Sequence, residues 1–150
     1  MTPPPDPAYT LHQGQAADQA ACYALLQRNM QPYFTQYGIG LREAAFAQSW
    51  TQGHPWVLRW RDTRLAGFYL SLPAADHVFL HTIQIDPRHR LRGLGTWLMA
   101  QFAGQSQAAG YRELRLAVYA DNPARYWYQR LGYGRVGEAY VQMEMRRDLR

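Results

Sequence analysis

Residues Val78 to Phe102 read V-F-L-H-T-I-Q-I-D-P-R-H-R-L-R-G-L-G-T-W-L-M-A-Q-F, and this stretch limits the possible folds more tightly than any other. Val78 to Ile85 is β-branched and aromatic and stops at Asp86-Pro87, which predicts a strand. Leu94, Leu98 and Phe102 recur at the spacing of one helix face. A basic turn from Arg88 to Thr96, with glycines at 93 and 95, joins the two. A strand that enters a helix through such a turn aims several backbone N–H groups and the positive end of the helix dipole at one point. That makes an anion site, most often one for phosphate. The glycines let a ligand approach the backbone where a side chain would stand in the way. The plain alternative is a glycine-containing turn with solvated arginines.

The turn matches neither of two common phosphate motifs. A P-loop needs a Gly-Lys pair, and the chain contains no lysine. The dinucleotide fingerprint G-x-G-x-x-G needs a third glycine where Leu98 stands. What remains is R-x-x-G-x-G, spelled Arg90-Leu91-Arg92-Gly93-Leu94-Gly95. A second strand-turn-helix pattern follows in L-R-L-A-V-Y-A-D-N-P-A-R-Y-W-Y-Q-R-L-G-Y, Leu114 to Tyr133. There Asn122 suits an N-cap, Pro123 the first helical position and Gly132 the helix end.

Taken together and in this order, the two segments resemble the GNAT superfamily of acyl-CoA-dependent N-acetyltransferases. That family has an [Q/R]-x-x-G-x-[G/A] pyrophosphate loop, then a strand, Asn, a Tyr-bearing helix and a Gly-aromatic pair. Residues 9–146 can be laid on the family pattern. The resemblance implies an α/β fold of the α+β kind: a mixed, mostly antiparallel central sheet flanked by helices, with one parallel strand pair splayed around the CoA site. It also implies transfer of an acetyl group from acetyl-CoA, as co-substrate, to a primary amine by direct attack in a ternary complex. The acceptor would be a small amine or a peptide N-terminus. A non-catalytic acyl-CoA-binding or sensing module is the other reading.

Site residues follow by the same resemblance. Arg90, Leu91, Arg92, Gly93, Leu94, Gly95 and Thr96 would cradle the pyrophosphate, with Arg88 or Arg92 reaching the 3′-phosphate or simply solvated. The strand at Ile83, Gln84 and Ile85 would bind pantetheine through its backbone and supply an N–H to the thioester carbonyl. Asn122 serves as N-cap, pantetheine ligand or both. Tyr128 matches the family's general acid, although it shares a helix face with Ala124, Trp127 and Leu131 and so also suits the core; Tyr126 is a competing hydroxyl. His81 is either a base or a packed strand histidine on the face of Ile83 and Ile85. Tyr33, Phe34 and Tyr37 border the acceptor site. His54 and His89 read as loop residues.

The remainder of the chain sets limits. At 150 residues, with 47% hydrophobic and 18% charged residues, it is one domain's worth of ordinary globular sequence. Residues 1–8 form a flexible Pro-rich N-terminus and 9–150 a single domain. No apolar run approaches the roughly 20 residues of a membrane span, and the N-terminus lacks signal-peptide character. One cysteine, Cys22, fits a packing thiol in a cytoplasmic protein. No His or Cys pair has metal-ligand spacing, so no metal is expected. The net charge of +5 is carried by arginines clustered in the turn and the C-terminal tail, which a CoA partner accounts for without nucleic acid. The expected assembly is a monomer or homodimer.

Elsewhere the pattern predicts a strand over 9–12, a helix over 15–30 with its face at Ala17, Ala21 and Ala24/Leu25, and an end near Pro32. An aromatic loop follows, then a helix over 41–52. A hairpin over 56–60 and 64–72 turns at Arg61-Asp62-Thr63, and strands over 113–119, 134–138 and 140–146 complete the chain.

Overall fold

The structure, a computed structural model, describes residues 2–149. The stretch that organises the sequence folds as its pattern predicts: strand over Val78–Ile85 and helix over Leu94–Ala108. Seven strands form one sheet: β1 (Tyr9–Gln13), β2 (His54–Trp60), β3 (Arg64–Pro73), β4 (Val78–Ile85), β5 (Glu113–Tyr119), β6 (Gly134–Ala139) and β7 (Gln142–Asp148). Their order is β1-β2-β3-β4-β5-β7-β6. Only β4 and β5 run parallel; every other neighbour is antiparallel. The helices are α1 (Gln19–Tyr37), α2 (Glu43–Gln52), α3 (Leu94–Ala108) and α4 (Ala124–Arg130).

Parallel strands need a crossover, and α3 supplies it between β4 and β5. Leu94, Leu98 and Phe102, each 1% exposed or less, pack α3 onto a core that includes Leu58, Tyr69 and Leu116. The opposite sheet face carries a second core. There Cys22, Leu25 and Leu26 of α1 and Phe46 and Trp50 of α2 cover Val57, Phe68 and Leu70. Cys22 is buried there, and burial pushes its thiol up to about 12, which suits packing rather than chemistry.

α1 departs from the sequence expectation twice. Its buried stripe is Cys22, Leu25 and Leu26, while Ala17, Ala21 and Ala24 are exposed. The helix also does not end near Pro32 but continues through it to Tyr37, so the expected aromatic loop is helical. Proline inside a helix removes one hydrogen bond and crowds the preceding turn, at about 3 kcal/mol. Tertiary contacts offset this: Met30 and Phe34 pack on the second core, and Tyr33 and Tyr37 stack on Tyr119 of β5. Gly38, at φ 62°, then closes the helix in the left-handed region.

Other turns follow their residue chemistry. Arg61 and Asp62 both take positive φ, the conformation of a tight hairpin between twisted strands. Gly132, at φ 97°, ends α4: its N–H reaches the Gln129 carbonyl, and the Tyr133 N–H reaches the Tyr128 carbonyl. The Pro-rich segment before β1 lies near α3, where the Trp97 indole donates to the Thr2 carbonyl at 3.2 Å. Among the described residues, no helix is long and apolar enough to cross a membrane.

Phe102 joins α3 to the sheet through its tilted ring contact with Tyr69 at 5.8 Å. Phe102→Ala is expected to lower unfolding free energy by about 3–5 kcal/mol in urea denaturation. Tyr126→Ala, at a residue 49% exposed, should stay within about 0.5 kcal/mol.

Candidate active site

The site begins where the sheet stops being a sheet. β4 and β5 pair only from Val78↔Leu114 to Leu80↔Leu116, after which the strands part. From His81 to Ile85, then, β4 has lost its neighbour on that side, and its backbone groups face an open wedge. On the other side the β3–β4 register jumps from Ser71↔Leu80 to Leu70↔Thr82, so His81 is an extra residue in a β-bulge. The bulge breaks the alternation, so His81 is not part of a regular face with Ile83 and Ile85 as the sequence pattern predicts. Its Nδ1 is buried without a hydrogen-bond partner, and burial lowers its pKa below the ordinary imidazole value. The bare imidazole therefore stays neutral near pH 7.

A cleft of about 1010 Å³ fills this wedge, larger than a single small ligand requires. Ile83, Gln84 and Ile85 all line it. The Gln84 side chain and the Ile85 carbonyl are both held by the Asn29 amide of α1, each at 3.0 Å. That support crosses 55 residues of sequence and left no local signal.

At one end the wedge meets the basic turn. Asp86, 4% exposed, takes its N–H to the Ala66 carbonyl and accepts from the Arg88 backbone and guanidinium. The Arg88 guanidinium holds the Asp86 carboxyl below the usual range. Arg88 is thus tied to the turn's own scaffold. His89 is not a solvated loop residue: it is 7% exposed, with Nδ1 at 2.7 Å from the Tyr9 hydroxyl. Beyond it, Leu91 and Gly93 take φ of 63° and 75°. The N–H groups from Leu91 through Thr96 donate no hydrogen bond among the described residues, and no side chain caps α3. Six successive unpaired donors converging on a helix N-terminus are an anion nest. Arg90, Leu91, Gly93, Leu94, Gly95 and Thr96 line the cleft; Arg92 does not, and its guanidinium turns to the Tyr9 hydroxyl at 3.4 Å.

α4 closes the far wall. The Asn122 side-chain oxygen accepts from the Ala124 N–H at 2.9 Å, an Asx turn leading into α4; the N-cap itself is Pro123, one residue later than the sequence predicts. Trp127 crosses to the anion nest: its indole donates to the Thr96 hydroxyl at 3.0 Å, and its ring blocks the space beside Gly95. A Cβ on Gly95 would stand 3.3 Å from that ring, which the sequence did not reveal. Tyr128, 9% exposed, packs edge-on with Tyr133 and lines the cleft. Its hydroxyl makes no hydrogen bond among the described residues. Burial raises its pKa well above the ordinary phenol value, so it holds its proton. Tyr126 is exposed and lies outside the cleft, with its hydroxyl taken by Arg125.

The remaining wall comes from α1. Tyr33 and Phe34 line the cleft, whereas Tyr37 stands behind it. Tyr33 and Tyr37 each stack on Tyr119, with ring centroids 5.3 and 5.2 Å away and interplanar angles of 4° and 16°. The Tyr37 hydroxyl donates to Asp121 at 2.5 Å, and the Gln36 amide donates to its other oxygen at 2.9 Å. Among the described residues, no group of three or more His, Cys, Asp or Glu is placed to hold a metal ion.

The family model described as Acetyltransferase (GNAT) family matches residues 20–133. A comparison with curated proteins gives no match. Among solved structures, the chain is similar to the ribosomal-protein-S18-alanine N-acetyltransferase from Escherichia coli at TM-score 0.77 and 21% identity, over 93% of each chain. PaiA N-acetyltransferase from Thermoplasma acidophilum, in complex with coenzyme A, matches at TM-score 0.77 and 14% identity, over 94% of this chain and 99% of that one. A GNAT family acetyltransferase from Elizabethkingia anophelis with acetyl-CoA bound gives 0.75 and 15%, over 96% and 100%.

The glycines of the nest give a direct check. Gly93→Val forces a branched residue into φ 75°, and Gly95→Val drives methyl groups into the Trp127 ring. Each is expected to weaken CoA binding at least about 100-fold by calorimetry, since nest donors lose their aim, while far-UV circular dichroism stays native.

Proposed function

The chain belongs to the GNAT acetyltransferase family, and on that premise we propose that it transfers the acetyl group of acetyl-CoA to a primary amine. The observation that carries the reading is the wedge between β4 and β5, which ends at the unpaired N–H groups of residues 91–96. A pyrophosphate fits the nest, and a pantetheine arm fits the unpaired edge of β4 as though it were the missing strand. When bound, acetyl-CoA supplies the activated acyl group. The protein holds it in place beside the amine and manages protons.

Tyr128 is the proposed proton donor to the departing thiolate. A phenol raised by burial is a weak acid toward an ordinary thiol of pKa about 8.5. The same apolar surroundings raise the thiol as well, as they do for Cys22 in this protein. The two pKa values therefore move together, and transfer stays feasible as charge builds on sulfur. An unengaged hydroxyl facing the cleft is free for this task. His81 is the proposed proton acceptor, directly or through water, because its Nδ1 is unpartnered and its burial favours the neutral form. The bulge at His81 also frees backbone donors for the thioester carbonyl.

Tyr128→Phe keeps the ring and breaks no hydrogen bond of the native state. It should leave the melting temperature and acetyl-CoA affinity nearly unchanged while kcat falls about 100-fold or more. Full activity in the folded variant would remove Tyr128 from the mechanism, and absence of turnover in the native chain would favour an acyl-CoA-sensing module.

His81 acts as a base only when neutral, so activity should be present above its folded pKa and fall as pH drops through it. Because burial lowers that pKa, the acid limb of the kcat profile should lie below about 6.5. His81→Gln should lower kcat and erase this limb; an unchanged limb would assign His81 to packing.

A further inference from the structure

We infer that the acceptor is a small monoamine carrying an aromatic or branched apolar body, recognised by the Tyr33–Tyr119 stack. The inference rests on the transferase reading and specifies its second substrate. Once the nest, the β4 edge and α4 are assigned to acetyl-CoA, the rest of the cleft wall is mainly apolar, with Leu26, Met30, Tyr33, Phe34, Phe79 and Tyr119; of its polar members, Asn29 is tied to Gln84 and Ile85, and Gln142 carries no charge. No Asp or Glu lines the cleft, and its charged lining residue is Arg90, at the nest.

The carboxylates nearby are few and engaged. Asp86 is held by Arg88 and Arg28 beneath the turn. Asp121 accepts from Tyr37 and Gln36, and so ties the end of α1 to the loop after β5. Glu144 makes no hydrogen bond or ion pair among the described residues and stands beside Ala117, a cleft residue, in the β5–β7 register; Arg115 is the basic group it influences. Among the described residues, the cleft lining therefore offers no carboxylate to pair with the ammonium groups of a polycation. Polyamines and aminoglycosides would enter with unpaired charges, which a desolvated site rejects.

The same poverty of acid helps the chemistry. An ammonium moved into apolar surroundings without a carboxylate has a lowered pKa and gives up its proton more readily. That proton can pass to the neutral His81 imidazole. The amine's body, meanwhile, meets the Tyr33 and Tyr119 rings of the cleft wall, already fixed by stacking and by the Tyr37–Asp121 bond, so little side-chain freedom is lost on binding.

The test compares 2-phenylethylamine, isoamylamine, spermidine, kanamycin and a tetra-alanine peptide as acceptors, following free CoA with a thiol reagent. Calorimetry with acetyl-CoA alone runs in parallel. The expected order places the two apolar monoamines first in kcat/KM, by at least tenfold over the others. Acetyl-CoA binding combined with a higher kcat/KM for spermidine, kanamycin or the peptide overturns the inference and leaves the transferase reading standing. Acetyl-CoA binding without turnover of either apolar amine also overturns it. Failure to bind acetyl-CoA overturns the transferase reading itself. As a second check, Tyr33→Ala should raise KM for 2-phenylethylamine about three- to tenfold, the usual worth of one aromatic contact, with kcat and acetyl-CoA affinity little changed. Tyr33→Phe, which keeps the stack, should restore the native KM. A KM unaffected by Tyr33→Ala in a protein that still binds acetyl-CoA would remove the stack from recognition.

Discussion

The fold depends on a pairing that is given up early. β4 and β5 share three register pairs and then separate in the middle of the sheet, whereas β5 pairs with β7 along all seven of its residues. An unpaired backbone buried away from water is costly, so the wedge has to be either flooded or filled. Both outcomes require that neighbouring elements hold the two halves in place without the missing ladder. α3 does this on one face through Leu94, Leu98 and Phe102. On the other face α1 does it through Asn29, which grips Gln84 and Ile85, and through the tyrosine stack, which reaches across to β5.

Seen this way, the length of α1 follows from its job. A helix ending before Pro32 would leave the wedge open at its wide end and Tyr119 uncovered. Continuing through the proline carries Tyr33 and Tyr37 to β5 and lets Asp121 anchor the last turn. Asp121 precedes Asn122, whose side chain holds the turn into the helix that carries Tyr128 and Trp127. α1, the end of β5 and α4 are thereby linked through adjacent residues, and Trp127 returns the chain of contacts to Thr96 in the anion nest.

Local patterns made much of this readable. The strand at 78–85, the helix face of Leu94, Leu98 and Phe102, the hairpin at Arg61-Asp62 and the turn at Asn122 all rest on interactions within a few residues. The parts that escaped are those decided across the chain. Pro32 breaks helices locally, and only the distant Tyr119 explains why this one continues. His81 looks like one member of an alternating strand until the β3 register shows a bulge. His89 reads as a loop histidine until Tyr9, 80 residues away, is placed against it. Arg88 and Arg92 read as either 3′-phosphate ligands or solvated arginines, and in the structure one serves Asp86 while the other turns to Tyr9.

What the site lacks bears on its chemistry as directly as what it contains. The proposed acid and the proposed base are both displaced by burial toward their neutral forms, Tyr128 upward and His81 downward. Neither shift comes from a charged partner: the chief cause in each case is desolvation. A site built this way does not stabilise ions in the resting state, so any charge that appears there appears only as the reaction proceeds. The donors able to meet such charge are backbone groups at the His81 bulge and along the unpaired β4 edge, fixed by the fold and needing no reorganisation. On the proposed reaction, the wedge that costs the sheet its continuity also supplies the rigid dipoles for a tetrahedral oxyanion. Mending the ladder, with β5 paired to β4 as far as Ile85, would remove both the space and the donors.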